Sequence, residues 1–324
     1  MKASVIVLAW NGVEYLEHCL DAVLSQDYAD FEVIVVDNGS TDGSADLVAE
    51  HYPQVLLICN ERNLGFAAGN NVGLRAATGD VLVLLNQDTV VQPGWLAALV
   101  SAFEDPTVGV AGCKILDLDG ETIQHAGGYL LSPIAEGKHY GFGERDEGQY
   151  NQPREVEYLT GAALAVRRAV FEQVGDLDTQ FFPGYYEDAD LCVRVHQAGF
   201  KVLYWPAAVV HHYGSASFRQ GVYNQLYLIF WNQIRFIFKH FSPDEILDSF
   251  IPAMIDRIGH KVREELHAVA LGSLDAMLIW PQVAPAGTDY ATKLRILQAF
   301  RELHDRAVQC EQALMRTYQR GANQ

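Results

Sequence analysis

At 324 residues, with 49% apolar and 20% charged side chains, the chain has ordinary globular composition and length for one large domain or two smaller ones. Lys and Arg number 23 against 41 Asp and Glu, a formal charge of −18 that argues against binding a nucleic-acid phosphate backbone, which needs a basic footprint. A single anionic ligand stays compatible with that charge, because a bound divalent cation supplies positive charge locally.

The N-terminus, MKASVIVLAWNG, carries one lysine and too short an apolar stretch for a signal peptide. Ser4–Ala9 reads as a β-branched apolar strand, and Glu14–Ser25 as a helix with Leu16, Cys19, Leu20, Val23 and Leu24 at helical spacing. Phe31–Val36 is a second predicted strand, closed by Asp37-Asn38-Gly39-Ser40-Thr41-Asp42-Gly43, and a helix over Ala45–His51 follows with Ser40, Thr41 or Asp42 as its cap. Val55–Cys59 is a third strand, Ala67–Ala77 a helix and Val81–Leu85 a fourth strand. Pro93 opens a further helix to about Phe103, as proline suits a first helical turn.

This β-α-β-α succession predicts an α/β fold, a mostly parallel sheet with helices on both faces, and ligands outside the carboxyl ends of its strands. Three polar clusters fall at those ends: Trp10-Asn11-Gly12, Asp37-Asn38-Gly39-Ser40 and Asn86-Gln87-Asp88. They favour a nucleotide site.

From Val108 to about Glu157 short strand signals and glycine-rich turns suggest loops around a site. Regular signals return with Tyr158–Val166 as strand, Arg167–Val174 as helix, Ala189–Ala198 as helix and Lys201–Tyr204 as strand. Beyond about Phe218 the chain reads as helical. Tyr223–Phe241 fits a core helix, a membrane-interface helix or an oligomer contact, and Thr292–Tyr318 fits a long helix with a buried stripe through Leu294, Leu297, Phe300, Leu303, Ala307, Cys310 and Leu314. No apolar run approaches the roughly 18 residues of a membrane span. The five cysteines lack any CxxC pair, which suits thiols in a reducing cytosol. The expected location is the cytoplasm, with peripheral contact to the inner membrane face as the variant reading.

The loop Ala9-Trp10-Asn11-Gly12 has no GxGxxG fingerprint, and no GxxxxGK[ST] loop occurs anywhere. Asp37 fits either a carboxylate that accepts hydrogen bonds from a base or ribose, or an Asx turn. Asp88 fits either a strand-ending turn or a ligand for Mg²⁺ or Mn²⁺, and the second reading demands a partner. The segment FFPGYYEDADL sets Glu187, Asp188 and Asp190 beside four aromatic rings. Asp188 or Asp190 would cap the next helix, or the aromatic surroundings would raise one acid's pKa towards that of a general base. Arg194 is spaced to pair with Asp190. The pair His211-His212 offers an imidazole suited to Mn²⁺.

Taken together and in order, VIVLAWNG, VDNGSTDGS, NLGFAAGNNVGLRAATGD, LLNQDTVV, LTGAALAVRRAVFEQVGDLD, FFPGYYEDADLCVRVHQAGFKV and HHYGSAS resemble glycosyltransferase family 2, the inverting GT-A enzymes, and most closely its rhamnosyltransferase-like branch. The resemblance covers roughly residues 3–217. It implies a GT-A catalytic domain over 1–217, with a nucleotide-binding half to about 105 and an acceptor half over about 106–217, followed by a C-terminal helical extension over 218–324. By the same resemblance Trp10, Asn11 and Asp37 hold the nucleoside, while Asn63, Gly65, Asn70 and Asn71 belong to the nucleotide pocket. Asn86-Gln87-Asp88 matches the DXD-type motif, with Asp88 as metal ligand and Asn86 departing from the usual first Asp. Glu187-Asp188 matches the ED motif, with Asp188 as base and Glu187 assisting the acceptor. His212 completes the metal site, with His211 as the register-shifted choice.

The implied reaction is an inverting, Mg²⁺- or Mn²⁺-dependent transfer from a nucleotide-diphosphate sugar to a saccharide or lipid-linked acceptor in cell-surface polysaccharide synthesis, with dTDP-rhamnose as first choice of donor. A non-catalytic nucleotide-sugar-binding module and a nucleotidyltransferase are the alternatives, and the second lacks a triphosphate loop after the first strand. No nucleic-acid partner is expected. Peripheral membrane contact and a homodimer through the C-terminal helices remain open readings.

Overall fold

The strands that place the site are apolar from end to end because helices cover both of their faces. β1 (Ala3–Ala9) is buried at six of seven positions, and β4 (Val81–Asn86) is buried until Asn86. The computed structural model describes residues 1–214 and 222–321. Ser215–Ser217 of the HHYGSAS stretch, and the expected boundary at 217/218, lie outside the described residues.

Chain order runs β1, α1 (Val13–Leu24), β2 (Phe31–Asp37), α2 (Ser44–His51), β3 (Leu56–Cys59), α3 (Phe66–Ala76), β4, β5 (Thr89–Val91) and α4 (Trp95–Ser101). It continues through β6 (Val108–Leu116), β7 (Ile123–His125), β8 (Gly128–Leu131), β9 (Glu136–His139), β10 (Arg154–Glu155), β11 (Ala163–Arg167), α5 (Arg168–Val174), α6 (Glu187–Gln197) and β12 (Lys201–His212). The main sheet has the order β10-β12-β6-β11-β4-β1-β2-β3, with β5 on β12 and β7 on β6. β3, β2, β1 and β4 run parallel, β6 and β12 run parallel, and β11 is antiparallel between β4 and β6. The expected α/β architecture with a mostly parallel sheet holds.

Two elements depart from the predicted ones. The strand expected at Lys201–Tyr204 runs on to His212, straight through Pro206, because the register shifts between Trp205 and Val209 and a bulge absorbs the proline's missing donor. The strand expected over Tyr158–Val166 is ordered as a strand only from Ala163.

The chain divides into two compact units: Met1–Leu130 with Gly137–Ser217, and Leu131–Glu136 with Phe218–Gln324. The second unit holds α7 (Val222–His240), α8 (Pro243–Glu245), a π-helical turn, α9 (Ile251–Ile258), α10 (Arg263–Val283) and α11 (Tyr290–Gly321). Phe238 packs against Trp280 and Phe300 with ring centroids 4.9 and 5.3 Å apart, and Phe250 joins Phe300. The buried face of α7, with Phe230, Ile234, Phe236, Ile237 and Phe238, is that of a core helix. The buried stripe of α11 is Ile296, Phe300, Leu303 and Ala307, whereas Leu294 points outward. Among the described residues no helix is long and apolar enough to cross a membrane.

Candidate active site

The polar clusters at the ends of β1, β2 and β4 converge, as parallel strands in register require. Ala9 pairs with Asp37, and Leu8 with Asn86. Gln87 ties two of these ends together: Trp10 N donates to its Oε1 at 2.9 Å, and its Nε2 donates to Trp10 O at 3.0 Å. A Cβ at Gly12 would stand 2.3 Å from that amide, so glycine is required for the contact. Gln87 thus spends its amide on shaping the loop after β1. Asn11, exposed and at φ 46°, accepts Thr41 N at 2.8 Å and joins the first loop to the second.

Asp37 is 3% exposed. Its Oδ2 accepts Ser40 N at 3.1 Å, a local turn that stops short of α2 and does not cap it, while its Oδ1 is buried with no hydrogen-bond partner. One carboxylate oxygen is thus spent on the turn and the other is left unbonded. Beside it, Asn38 organises the third loop: its Nδ2 donates to Asn63 Oδ1 at 3.0 Å and to Gly65 O at 3.3 Å, and its Oδ1 accepts Leu64 N at 3.1 Å. Asn63 Oδ1 also accepts Gly65 N at 2.7 Å. Gly65 sits at φ 82°, ψ 174°, a conformation essentially confined to glycine, and a Cβ there would meet the Phe182 ring at 2.8 Å. Asn70 is buried, donates to Phe66 O at 3.0 Å and leaves its Oδ1 unbonded. Asn71 faces elsewhere, with both ends of its amide bonded to the Leu177 backbone.

Asp88 follows the strand end in a tight turn and is 2% exposed. The register of β12 against β5 sets His212 opposite Thr89 and His211 opposite Val90, so the two imidazoles point to opposite faces. His212 Nε2 lies 3.2 Å from Asp88 Oδ1, and the structure thereby selects His212 over His211 as the neighbour of Asp88. Neither atom has a hydrogen-bond partner. Gln124 positions the ring: its Nε2 donates to His212 O at 2.8 Å and to Asp117, and its Oε1 lies 2.8 Å from His212 Nδ1. Held at Nδ1 by Gln124, the imidazole sets its Nε2 beside the Asp88 carboxylate. An imidazole nitrogen beside a carboxylate oxygen is a donor set suited to a divalent cation, and a side-chain partner at the other ring nitrogen is what orients metal-bound histidines. The pair fits Mn²⁺ or Mg²⁺. Among the described residues no third His, Cys, Asp or Glu joins it, so donor phosphate oxygens and water would fill the remaining positions.

Glu187-Asp188 opens α6, and two consecutive tyrosines, Tyr185 at φ 78° and Tyr186 at φ 74°, turn the chain into it. Left-handed backbone at non-glycine residues costs about 1–3 kcal/mol per position and clusters at functional sites. Two backbone contacts fix the segment. Phe66 N donates to Pro183 O at 2.7 Å, and Gly161 N donates to Asp188 Oδ2 at 2.9 Å. The next residue, Ala162, accepts Asn86 N at 2.9 Å, so one short loop links the ED pair to the end of β4.

Burial raises the Asp188 carboxyl above its ordinary range, opposed by the N–H groups of Gly161 and Ala189. Burial, then the charge on Asp188, hold Glu187 well above the carboxylate range, and its Oε2 has no partner. Burial thus disfavours the charged form of both acids, and the neighbouring Asp188 charge adds to that effect at Glu187. Asp190, fully buried, pairs with Arg194 at 2.9 Å as the spacing predicted, and is a helix-internal ion pair.

Residues that sequence reasoning passed over are Gln124 and Gly161. Each acts through a contact distant along the chain, 88 residues for Gln124 with His212 and 27 for Gly161 with Asp188, and carries no local spacing signal.

The family model described as Glycosyl transferase family 2 matches residues 4–175, more than half of the chain. The chain is 32% identical over 229 residues to the O-antigen biosynthesis protein RfbC of Myxococcus xanthus, which covers 67% of this chain and 18% of that protein. It is 31% identical over 231 residues to the N-acetylglucosaminyl-diphospho-decaprenol L-rhamnosyltransferase of Mycobacterium tuberculosis, covering 64% and 75% respectively. The chain spans less than a quarter of several relatives: 24% of an uncharacterized protein of Sinorhizobium fredii, at 30% identity over 66% of this chain, and 18% of the M. xanthus protein. Among solved structures, the mannosyltransferase PcManGT of Pyrobaculum calidifontis, in complex with GDP-Man and Mn²⁺, aligns with a TM-score of 0.55 at 20% identity over 95% of this chain and 84% of that one. At that identity the likeness establishes the shared GT-A fold.

Proposed function

The chain belongs to glycosyltransferase family 2, and from that premise we propose that it performs an inverting transfer from a nucleotide-diphosphate sugar to an acceptor hydroxyl, with Asp188 as base. The observation that carries this reading is a pair of buried carboxylate oxygens without hydrogen-bond partners, Asp37 Oδ1 and Asp88 Oδ1, at and just past the carboxyl ends of β2 and β4. A buried unpaired acceptor costs roughly 1–3 kcal/mol, so two of them at neighbouring strand ends point to ligands that complete them.

In this reading Asp37 Oδ1 accepts an N–H of the base, and the loops ordered by Gln87 and Asn38 hold the ribose and diphosphate. Asp88 and His212 hold Mg²⁺ or Mn²⁺, which when bound neutralises the departing diphosphate. The acceptor oxygen forms its bond to the anomeric carbon from the face opposite the diphosphate. The anomeric carbon–oxygen bond to the diphosphate breaks with its electron pair on the nucleotide, and the acceptor's proton passes to Asp188. Glu187, neutral, donates a hydrogen bond rather than competing as a second base. The M. tuberculosis relative's name supports rhamnose as the transferred sugar and a lipid-linked saccharide as acceptor, and the M. xanthus relative's name supports a place in surface polysaccharide synthesis.

Thermal-shift titration with dTDP-, UDP- and GDP-sugars, with and without Mn²⁺, tests the donor, because a ligand stabilises in proportion to its binding. We expect the largest shift for dTDP-rhamnose with Mn²⁺, and slow Mn²⁺-dependent release of dTDP from it. No shift with any nucleotide sugar would overturn the assignment.

A further inference from the structure

On the side of Asp188 away from the donor strands stands a series of rings that the donor-side reading does not use. Tyr158 is the inner member: it is 5% exposed and stands three residues before Gly161, whose N–H donates to Asp188 Oδ2 at 2.9 Å. The His139 ring lies edge-on 5.8 Å from the Tyr158 ring, and the Phe142 ring lies 6.1 Å from that of His139. Phe142 is 72% exposed.

The outer ring is held in place. Gly141 and Gly143 flank Phe142 at φ 73° and 77°, Gly143 N donates to Ile123 O at 2.8 Å, and Glu144 N donates to Gly141 O at 2.9 Å. These bonds fix a tight turn that presents its phenylalanine to solvent, where the ring adds little to the core. His139 is held by a 2.7 Å Nδ1–Nδ1 hydrogen bond to the buried His125 on β7. In the sheet, β7 pairs with β6, and β6 is separated from β1, β2 and β3 by β11 and β4. The ring series therefore leads away from the donor loops, starting at the base.

We propose that Tyr158, His139 and Phe142 form the acceptor subsite, and that its occupant is a saccharide. Phe142 stacks on the C–H face of a sugar ring, His139 exchanges hydrogen bonds with its hydroxyl groups, and Tyr158 borders the reacting hydroxyl at Asp188. Aromatic faces interleaved with an imidazole and a phenol match a sugar, which has an apolar face and a polar rim, better than an acyl chain. The inference rests on the glycosyl-transfer reading above.

Saturation-transfer NMR on the full chain, saturating aromatic protein resonances, tests it with millimolar methyl glycosides of glucose, galactose, mannose, rhamnose and N-acetylglucosamine. At least one glycoside receives saturation at its ring protons in the wild type. Phe142→Ala weakens that binding by up to about tenfold, in line with the worth of an aromatic contact, Phe142→Tyr preserves it, and His139→Ala weakens it several-fold. Phe142 is exposed, so its replacements fold, and dTDP binding is measured on every variant as a control. Absence of binding by every glycoside to the wild type, or equal binding by Phe142→Ala, overturns the acceptor subsite while leaving nucleotide binding and the transfer reading intact. Absence of nucleotide binding sinks that reading and this inference with it.

Discussion

His212 Nε2 and Asp88 Oδ1 stand 3.2 Å apart, both buried, while Gln124 Oε1 holds the other ring nitrogen, Nδ1, at 2.8 Å. An imidazole nitrogen beside a carboxylate oxygen is a pair that would suit a divalent cation. Gln124 is the positioning residue of the pair. Outer-shell partners of metal-bound histidines are worth about 10–100-fold in metal affinity. Gln124→Ala is therefore expected to weaken Mn²⁺ binding by about that factor, and His212→Ala by at least as much. The readout is the free-Mn²⁺ EPR signal titrated in the presence of dTDP. Wild-type affinity in His212→Ala would remove the pair from this role.

The base is tested by pH and by substitution. The Asp188 carboxyl lies above its ordinary range because it is buried. A base acts only when ionised, so the rate rises with pH on the acidic side, and its midpoint falls above the roughly 3.9 of a free aspartate. Asp188→Asn should lower turnover by about 10²–10⁴-fold, the usual worth of a general base, with dTDP affinity within a factor of about two. Near-wild-type turnover in that variant would exclude Asp188 as the base.

The strand ends were legible because a strand covered on both faces is an apolar run, and the polar residue that closes it stands out. That is how Asp37 and Asp88 were found. Lengths and partners were less legible. β12 continues through Pro206 because a bulge tolerates what a regular ladder would not. Tyr158–Ala162 has strand-like composition, yet Gly161 N goes to Asp188 rather than to a neighbouring strand. Asn71 looked like a pocket residue beside Asn70, but its amide bonds Leu177, 106 residues away. Spacing along the chain encodes local periodicity, and contacts of that separation leave no trace in it.

Gly65 tests how tightly the donor loop is bound to the ED segment. Its φ of 82° with ψ 174° excludes a side chain, and a Cβ would sit 2.8 Å from the Phe182 ring. Gly65→Ala is expected to destabilise by about 1–3 kcal/mol from backbone strain alone. At roughly 2–4 °C per kcal/mol for a domain of this size, the melting temperature falls by several degrees. Donor affinity falls with it, because Asn38 and Asn63 bond the same residue. A variant with unchanged melting temperature and dTDP affinity would show that the loop rearranges freely.

Glu187 makes the reverse prediction, a substitution that stabilises. Its folded-state pKa lies well above the ordinary carboxylate value, from burial and the Asp188 charge. The stability associated with its protonated form is fully present below about pH 4.3, the unfolded value, and is lost as pH rises through the folded pKa. Over that interval the unfolded chain releases a proton that the folded chain retains, so folding grows weaker with pH. Glu187→Gln keeps a neutral side chain of the same shape at every pH. Its melting temperature should match wild type near pH 4 and exceed it progressively towards pH 8, by a difference on the order of 1 kcal/mol or a few degrees. Calorimetry across that range decides the matter: a gap between the variants that stays constant with pH would mean that Glu187 is ionised in the fold, and would return it to candidacy as the base.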